Sequence, residues 1–167
     1  DGPPADGVDG SRDAAVARQH ETAHLRVEVE ELTQQIDARA VAEAQRRFRH
    51  ALELAKKSAN PFDIASALDN LGIIARGRGD LDEALRLYRE ALLEHREIGD
   101  AGGTAICLNN QGVVHILRRE LDAAREVPQE ASQLCERHGL PSTRVMVEVN
   151  LANVAMYSGN PEQAVRH

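Results

Sequence analysis

Aromatic side chains are nearly absent from this chain of 167 residues, which contains no Trp, two Phe and two Tyr. Its core must therefore be built from Leu, Ile, Val and Ala. The strands of sandwiches and barrels are usually rich in aromatic and β-branched residues, whereas Ala is the best helix former and the easiest residue to pack closely. The shortage of aromatics thus favours an all-α fold of closely packed helices.

Basic stripes and long apolar runs are also missing. The net charge is −7 and the pI about 5.5, and the densest basic cluster, Arg46, Arg47 and Arg49, is spread around a helix axis. Because nucleic-acid binders usually carry a basic stripe, no direct nucleic-acid binding is expected. The sequence has no signal-peptide pattern and no apolar run of the roughly 18 residues that a membrane span needs. It therefore predicts no membrane association and a cytoplasmic location.

Cysteine is scarce as well, with only Cys107 and Cys135, and the two form no CxxC motif. Both lie in apolar helical patterns. We interpret them as small buried hydrophobic residues in a reducing compartment. A disulfide and a metal site are the alternatives.

The most informative feature that the chain does have is an internal repeat with a period of 40 residues. The segment NLGII, which begins at Asn70, matches NQGVV at Asn110 and NLANV at Asn150. Two further sets of landmarks keep the same register: Gly79, Arg119 and Gly159, and Ala59, Gly99 and Gly139. A fixed period of this length indicates stacked structural units, each burying its apolar face against its neighbours.

Each unit has the pattern of two helices, called here helix A and helix B. In the first full unit, apolar residues at spacings of three and four predict helix A over residues 62–76 and helix B over residues 81–98. Asp80 is expected to cap helix B, with Glu83 as its capping-box partner. Gly99 is expected to end that helix.

These landmarks resemble the tetratricopeptide repeat family, whose pattern places Leu-Gly, small residues and an aromatic at fixed offsets. The first full unit carries them at Leu68, Leu71, Gly72, Ala75, Ala84, Tyr88 and Ala91. The resemblance covers about residues 22–167, and the 40-residue period is similar to that of kinesin light chains and the bacterial regulators that share it. It implies a right-handed α-solenoid of antiparallel helix pairs.

The repeat register also divides the chain. We expect a disordered linker over residues 1–12, an N-terminal helix plus an incomplete first helix pair over 13–60, full units over 61–100 and 101–140, and a truncated unit over 141–167. The linker is predicted from its high content of Gly, Pro and Asp.

The N-terminal helix, predicted over residues 13–37, carries a stripe of apolar side chains. The stripe consists of Leu25, Val29, Leu32 and Ile36. We expect it to pack on Phe48 and Leu52 as helix A of the incomplete pair. The alternative is a short helix that dimerises, and the oligomeric state is left open.

Pro128 departs from the family pattern by standing in the middle of a helix B where an aromatic is expected. It lacks an N–H, and its ring clashes with the carbonyl of Ala124 in a regular helix. A kink or break is predicted there, either as neutral variation or as a bend that reshapes the array.

One motif suggests chemistry, because His20 to His24 fit the H-E-x-x-H pattern of zinc peptidases. Only 19 residues precede it, none of them strand-like, and Arg18 and Arg26 are unusual flanks for such a site. The remaining candidates lack partners at ligand spacing: His95, His115 and His138. We therefore predict no catalytic residue, no metal site and no cofactor.

The A helices of a stacked array line its concave face, and their exposed stripe is the expected binding surface. The predicted partner-binding residues are Asp69, Asn70, Ile73, Asn109, Asn110, Val113, Met146, Asn150 and Asn153. Asn70, Asn110 and Asn150 occupy one position in successive units, and an amide can pair with a peptide N–H and C=O together. Resemblance to peptide-binding repeats implies that they form a ladder along an extended peptide. The alternative is that they make turn or inter-helix hydrogen bonds.

The predicted function is a protein-binding or peptide-binding scaffold, serving as the sensing or partner-binding region of a larger bacterial regulatory protein. The stripe disfavours a clamp for acidic C-terminal tails, because Asp69, Ile73 and Met146 stand where such clamps need basic or amide residues. A second interpretation is the repeat region of a multidomain signalling NTPase or transcriptional regulator, whose groove binds other domains of the same protein. A zinc peptidase is the remote third.

Overall fold

The computed structural model describes the backbone of residues 9–157 and the side chains of residues 28–156. Over this range the chain forms α-helices only, which confirms the all-α fold. The helices are α1 Asp9–Lys57, α2 Pro61–Gly77, α3 Leu81–Glu97, α4 Ala101–Leu117, α5 Leu121–His138 and α6 Pro141–Tyr157. The chain divides into two units, residues 1–43 and residues 44–167, which are described separately.

The first unit contributes most of α1, which runs without interruption where the sequence predicts a turn between two helices. No Gly or Pro interrupts this helix, because residues 11–57 contain neither. The expectation that its apolar stripe forms helix A of a pair is therefore wrong, and Val29, Leu32 and Ile36 are 61%, 52% and 65% exposed. Residues 9–12 belong to α1, and the rest of the predicted linker lies outside the described residues, as does the side chain of Leu25.

The second unit is a stack of antiparallel helices in chain order. Each helix from α2 to α6 contacts the next, and α4 also contacts α6. One continuous core of small aliphatic residues runs through the stack, with Tyr88 as its largest fully buried side chain. Phe48 and Leu52, near the end of α1, pack against the same core. The helix pairs α2–α3 and α4–α5 correspond to the two full repeat units.

Each of the helices α1 to α5 ends in the same way, with a residue in the left-handed conformation. These residues recur every 20 positions, at Ala59, Gly79, Gly99, Arg119 and Gly139. The following N–H groups each donate to a carbonyl five residues back, and the acceptors are Ala55, Ala75, His95, His115 and Cys135. This is the Schellman closure. Ala59 and Arg119 adopt the conformation without the freedom of glycine, at a cost of about 1–2 kcal/mol each.

The helices α2, α3 and α4 begin with a side-chain cap, whereas Glu120, before α5, makes no such hydrogen bond. Asn60 caps α2 by accepting hydrogen bonds from the N–H groups of Phe62 and Asp63. Asp80 caps α3 as predicted, with its Oδ1 accepting from the N–H of Glu83 at 3.4 Å. The capping-box return bond predicted for Glu83 is wrong, because its carboxylate pairs with Arg86 at 2.7 Å instead. Hydrogen bonding to that guanidinium lowers the pKa of Glu83.

Pro128 does not break its helix, since α5 is continuous over Leu121–His138. The ring is buried and lies against Gly112, where an added Cβ would overlap it and stand 2.9 Å from its Cδ. Tyr88 lies against Gly72 in the same way, 2.6 Å from the place of a Cβ. Pro128 therefore occupies the position that the aromatic fills one unit earlier.

Candidate partner-binding groove and a buried polar cluster

The predicted binding stripe lies on α2, α4 and α6, the A helices of successive units. Its members differ in exposure. Ile73 and Met146 are exposed, Asp69, Asn70, Asn110, Val113, Asn150 and Asn153 are half-buried, and Asn109 is buried. Further large apolar side chains are exposed along the same face, namely Ile106 and Val149. The stripe is thus an apolar surface interrupted by amides.

A hollow of about 570 Å³ lies between the end of α1 and α2, at one side of this stripe. Its walls are mainly apolar, with Phe48, Leu54 and Ala55 on one side and Ala67 on the other. Asn70 stands at its rim and donates from Nδ2 to the carbonyl of Ser66 at 2.7 Å. The hollow offers space for an apolar side chain of a partner beside an amide oxygen.

The three asparagines of the predicted ladder are not equivalent. Asn70 bonds within its own helix, whereas Asn150 donates from Nδ2 to Asn109 Oδ1 at 2.7 Å, across from α6 to α4. Asn109 is only 2% exposed, so its assignment to the groove surface is wrong. The contact between α4 and α6 covers it. Of the three ladder residues, Asn110 alone makes no side-chain hydrogen bond to another described residue.

Replacing Asn150 with Ala is expected to lower the free energy of unfolding by about 1–3 kcal/mol, because the buried Asn109 oxygen loses its donor. Asn110→Ala is the matched control one unit earlier, and its effect should stay within about 0.5 kcal/mol. Urea unfolding followed by circular dichroism measures both. Equal effects of the two substitutions would contradict the assignment of Asn150 as an inter-helix contact.

A second group of polar side chains lies where the first and second full units meet, at the junction of α2, α3 and α4. His95 Nε2 is 2.9 Å from Asp69 Oδ2, and Cys107 Sγ donates to Asp69 Oδ1 at 2.9 Å. His95 and Cys107 are buried, and the Asp69 side chain is 17% exposed. The expectation that His95 lacks partners is wrong, because helix stacking brings together residues that no local motif connects.

The environment of Cys107 makes it a poor nucleophile. Burial raises the pKa of its thiol, and the neighbouring Asp69 carboxylate raises that pKa further. Since the thiolate is the form that attacks a substrate, this cysteine is suited to donating a hydrogen bond rather than to nucleophilic catalysis. Burial likewise raises the pKa of Cys135.

The other histidines have different surroundings. His115 Nδ1 lies 2.6 Å from Glu120 Oε2 at the end of α4, and this hydrogen bond, aided by Arg118, lowers the pKa of Glu120. His138 is exposed at the end of α5. The side chains of His20 and His24 lie outside the described residues, where the backbone is part of α1.

Comparison with known proteins bears on this array of helix pairs. The family model of the tetratricopeptide repeat matches residues 39–92 and 63–137, which include both full helix pairs. The chain belongs to the tetratricopeptide repeat family. Such repeats indicate a protein–protein interaction scaffold, which agrees with the protein-binding scaffold predicted from the sequence.

The fold of these tetratricopeptide repeats is shared with the crystal structure of BtubC (BKLC) from P. vanneervenii, with a TM-score of 0.67 and 20% sequence identity. The similarity covers 76% of this chain and 53% of that one, so the chain spans about half the length of BtubC. A search of curated proteins finds no match. Among the described residues, none of the helices has the length and apolarity required to cross a bilayer.

Proposed function

We propose that the face formed by α2, α4 and α6 binds a protein partner through an extended segment with apolar side chains. The observation that carries this proposal is the exposure of large apolar side chains on the A helices, where the repeat pattern places the ligand. Ile73, Ile106 and Met146 are 44%, 38% and 41% exposed. Contiguous exposed apolar surface framed by polar groups is typical of interaction sites.

The chemistry of this face limits the partner. Asn70 Oδ1 and the amide of Asn110 are available to the backbone of a bound segment, while apolar anchors enter the hollow beside Phe48. Asp69 lies on the same face, and the chain as a whole has a net charge of −7. These charges favour a neutral or basic segment over an acidic tail, and they also support the absence of direct nucleic-acid binding.

The proposed context is the partner-binding region of a larger bacterial regulatory protein that acts in the cytoplasm without catalysing a reaction. Its support is the 40-residue period, which is similar to that of kinesin light chains and bacterial regulators. The tetratricopeptide repeat fold, typically a non-catalytic scaffold, also supports it.

The groove is tested with peptides selected from a random display library against the purified chain. Asn70→Ala combined with Asn110→Ala should weaken binding of the selected peptides by about tenfold, which corresponds to about 1.4 kcal/mol. The melting temperature should hardly change, because neither side chain bonds to another helix. Asn150 is left intact, since its loss would disturb Asn109.

Arg89→Ala combined with Gln129→Ala provides the matched control. These exposed residues stand 40 positions apart on the B helices α3 and α5 and should leave affinity unchanged. If the control weakens binding as much as the asparagine pair does, or if the pair has no effect, the assignment of the groove to the A helices fails.

A further inference from the structure

The cluster of Asp69, His95 and Cys107 has the geometry of an unassigned ligand site. One carboxylate oxygen, one imidazole nitrogen and one thiol sulfur lie within 4.8 Å of one another. They come from α2, α3 and α4, so three helices of two successive repeats meet at this point. Of the three residues, only Asp69 is partly exposed, and it lies on the groove side.

The repeat itself does not require polar groups at the positions of His95 and Cys107. One period away, the counterparts of His95 are Ala55 and Cys135, and those of Cys107 are Ala67 and Val147. All four counterparts are buried in the stack. The fold therefore closes the same interface with small or apolar side chains, and burying polar groups there costs free energy unless they are fully paired.

A second carboxylate stands behind the imidazole. His95 Nδ1 lies 3.0 Å from Asp100 Oδ2, although the angle between them falls outside hydrogen-bond geometry. A carboxylate at the far nitrogen is the usual means of orienting a histidine that ligates zinc. Asp100 is itself held by the N–H of Gly103, which donates to Oδ1 at 2.9 Å.

Gly103 makes room for this arrangement. A Cβ at residue 103 would overlap the imidazole ring of His95 and lie 2.5 Å from Asp100 Oδ2. At the adjacent Gly102, a Cβ would meet only Asp100 Oδ1, at 3.4 Å. Of the two glycines, only Gly103 is needed for His95 and Asp100 to sit side by side.

We propose that Asp69, His95 and Cys107 bind one Zn²⁺ ion, with water in the fourth position. Nitrogen, sulfur and oxygen donors together suit zinc, which is tetrahedral in most protein sites. On binding, the thiol proton passes to solvent and the thiolate ligates the ion. The Nε2 lone pair binds the metal, and the imidazole proton lies on Nδ1, facing Asp100. The ion then links α2, α3 and α4.

Cobalt titration of the metal-free full chain tests this site. Co²⁺ should bind in a 1:1 ratio with a near-ultraviolet thiolate-to-cobalt charge-transfer band, and Zn²⁺ should displace it and raise the melting temperature, because a ligand that binds only the native state stabilises it. Cys107→Ala should abolish the band. Cys135→Ala removes the other buried cysteine and should leave the band intact.

Three further variants separate a metal site from a fold defect. Cys107→Ser keeps the side-chain size and should also lose the band while the helical circular dichroism signal is retained. Gly103→Ala should weaken Co²⁺ binding by at least about tenfold, because the new methyl group displaces His95 from the supporting carboxylate of Asp100. Gly102→Ala should leave Co²⁺ binding unchanged. His20→Ala combined with His24→Ala removes the histidine pair of the H-E-x-x-H motif, which has no thiolate, and should not alter the band.

The proposal is overturned if saturating Co²⁺ produces no charge-transfer band, if Cys107→Ser retains the band, or if Cys135→Ala loses it. In those cases the three residues form a hydrogen-bonded network only. Binding that disappears with His20 and His24 would assign the metal to the N-terminal helix and equally reject the buried site.

Discussion

Tyr88→Ala is expected to lower the free energy of unfolding by about 3–5 kcal/mol, the range for removing a buried aromatic. Tyr88 is 0% exposed and is the largest fully buried side chain among the described residues. Its ring fills the space left by Gly72, where even a Cβ would lie 2.6 Å from Cε1. The ring lies directly against the backbone of α2 at Gly72, which has no side chain that could fill the resulting cavity.

Tyr88→Phe provides the control for this first prediction, with an expected loss below about 1 kcal/mol. The hydroxyl is buried and makes no hydrogen bond within the described part of the chain. Burial raises the pKa of Tyr88, and the nearby Arg76 guanidinium offsets part of that rise without meeting hydrogen-bond geometry. Urea unfolding measures both variants. If Tyr88→Phe lowers the free energy of unfolding as much as Tyr88→Ala does, the hydroxyl and not the ring stabilises the packing of α3 on α2.

Gly112→Ala should lower the free energy of unfolding by about 1–3 kcal/mol through overpacking. This is the opposite of the gain of about 1 kcal/mol that alanine offers in an open helix interior. The new methyl group would overlap the ring of Pro128, which is rigid and cannot rotate away. Gly77→Ala is the control, because a Cβ at residue 77 meets nothing within 4 Å.

A double variant identifies the cause of the Gly112 effect. Combining Gly112→Ala with Pro128→Ala removes the ring and restores a backbone N–H in α5. The double variant should therefore be more stable than the sum of the single effects predicts, as expected for two residues in contact. Additive effects would show that the methyl group at residue 112 meets something other than Pro128.

Helix boundaries of the repeat units follow closely from local sequence. The sequence predicts helices over residues 62–76 and 81–98, and the structure has Pro61–Gly77 and Leu81–Glu97. The agreement reflects signals that act within a few residues, such as Asp80 as a cap and Gly99 in the left-handed conformation. The lack of such signals explains why α1 is continuous, since no Gly or Pro interrupts it between residues 11 and 57.

The sequence predicts the candidate sites less well than it predicts the helix boundaries. Asn70, Asn110 and Asn150 share one repeat position, yet Asn150 lies against α4 while Asn110 has no such neighbour. A common register places equivalent residues on the same face of each helix. It does not specify which of them the next helix covers, because that depends on the side chains packed between the helices.

From the sequence by itself come the scarcity of aromatics, the 40-residue period, the helix pairs and the membership of a repeat family. These features follow from the composition of the chain and from residue patterns within one or two repeat units. Only the tertiary structure places Pro128 on Gly112, buries Asn109 and brings Asp69 to His95 and Cys107. These contacts join residues of different helices, and stacking distance rather than sequence spacing determines which atoms meet.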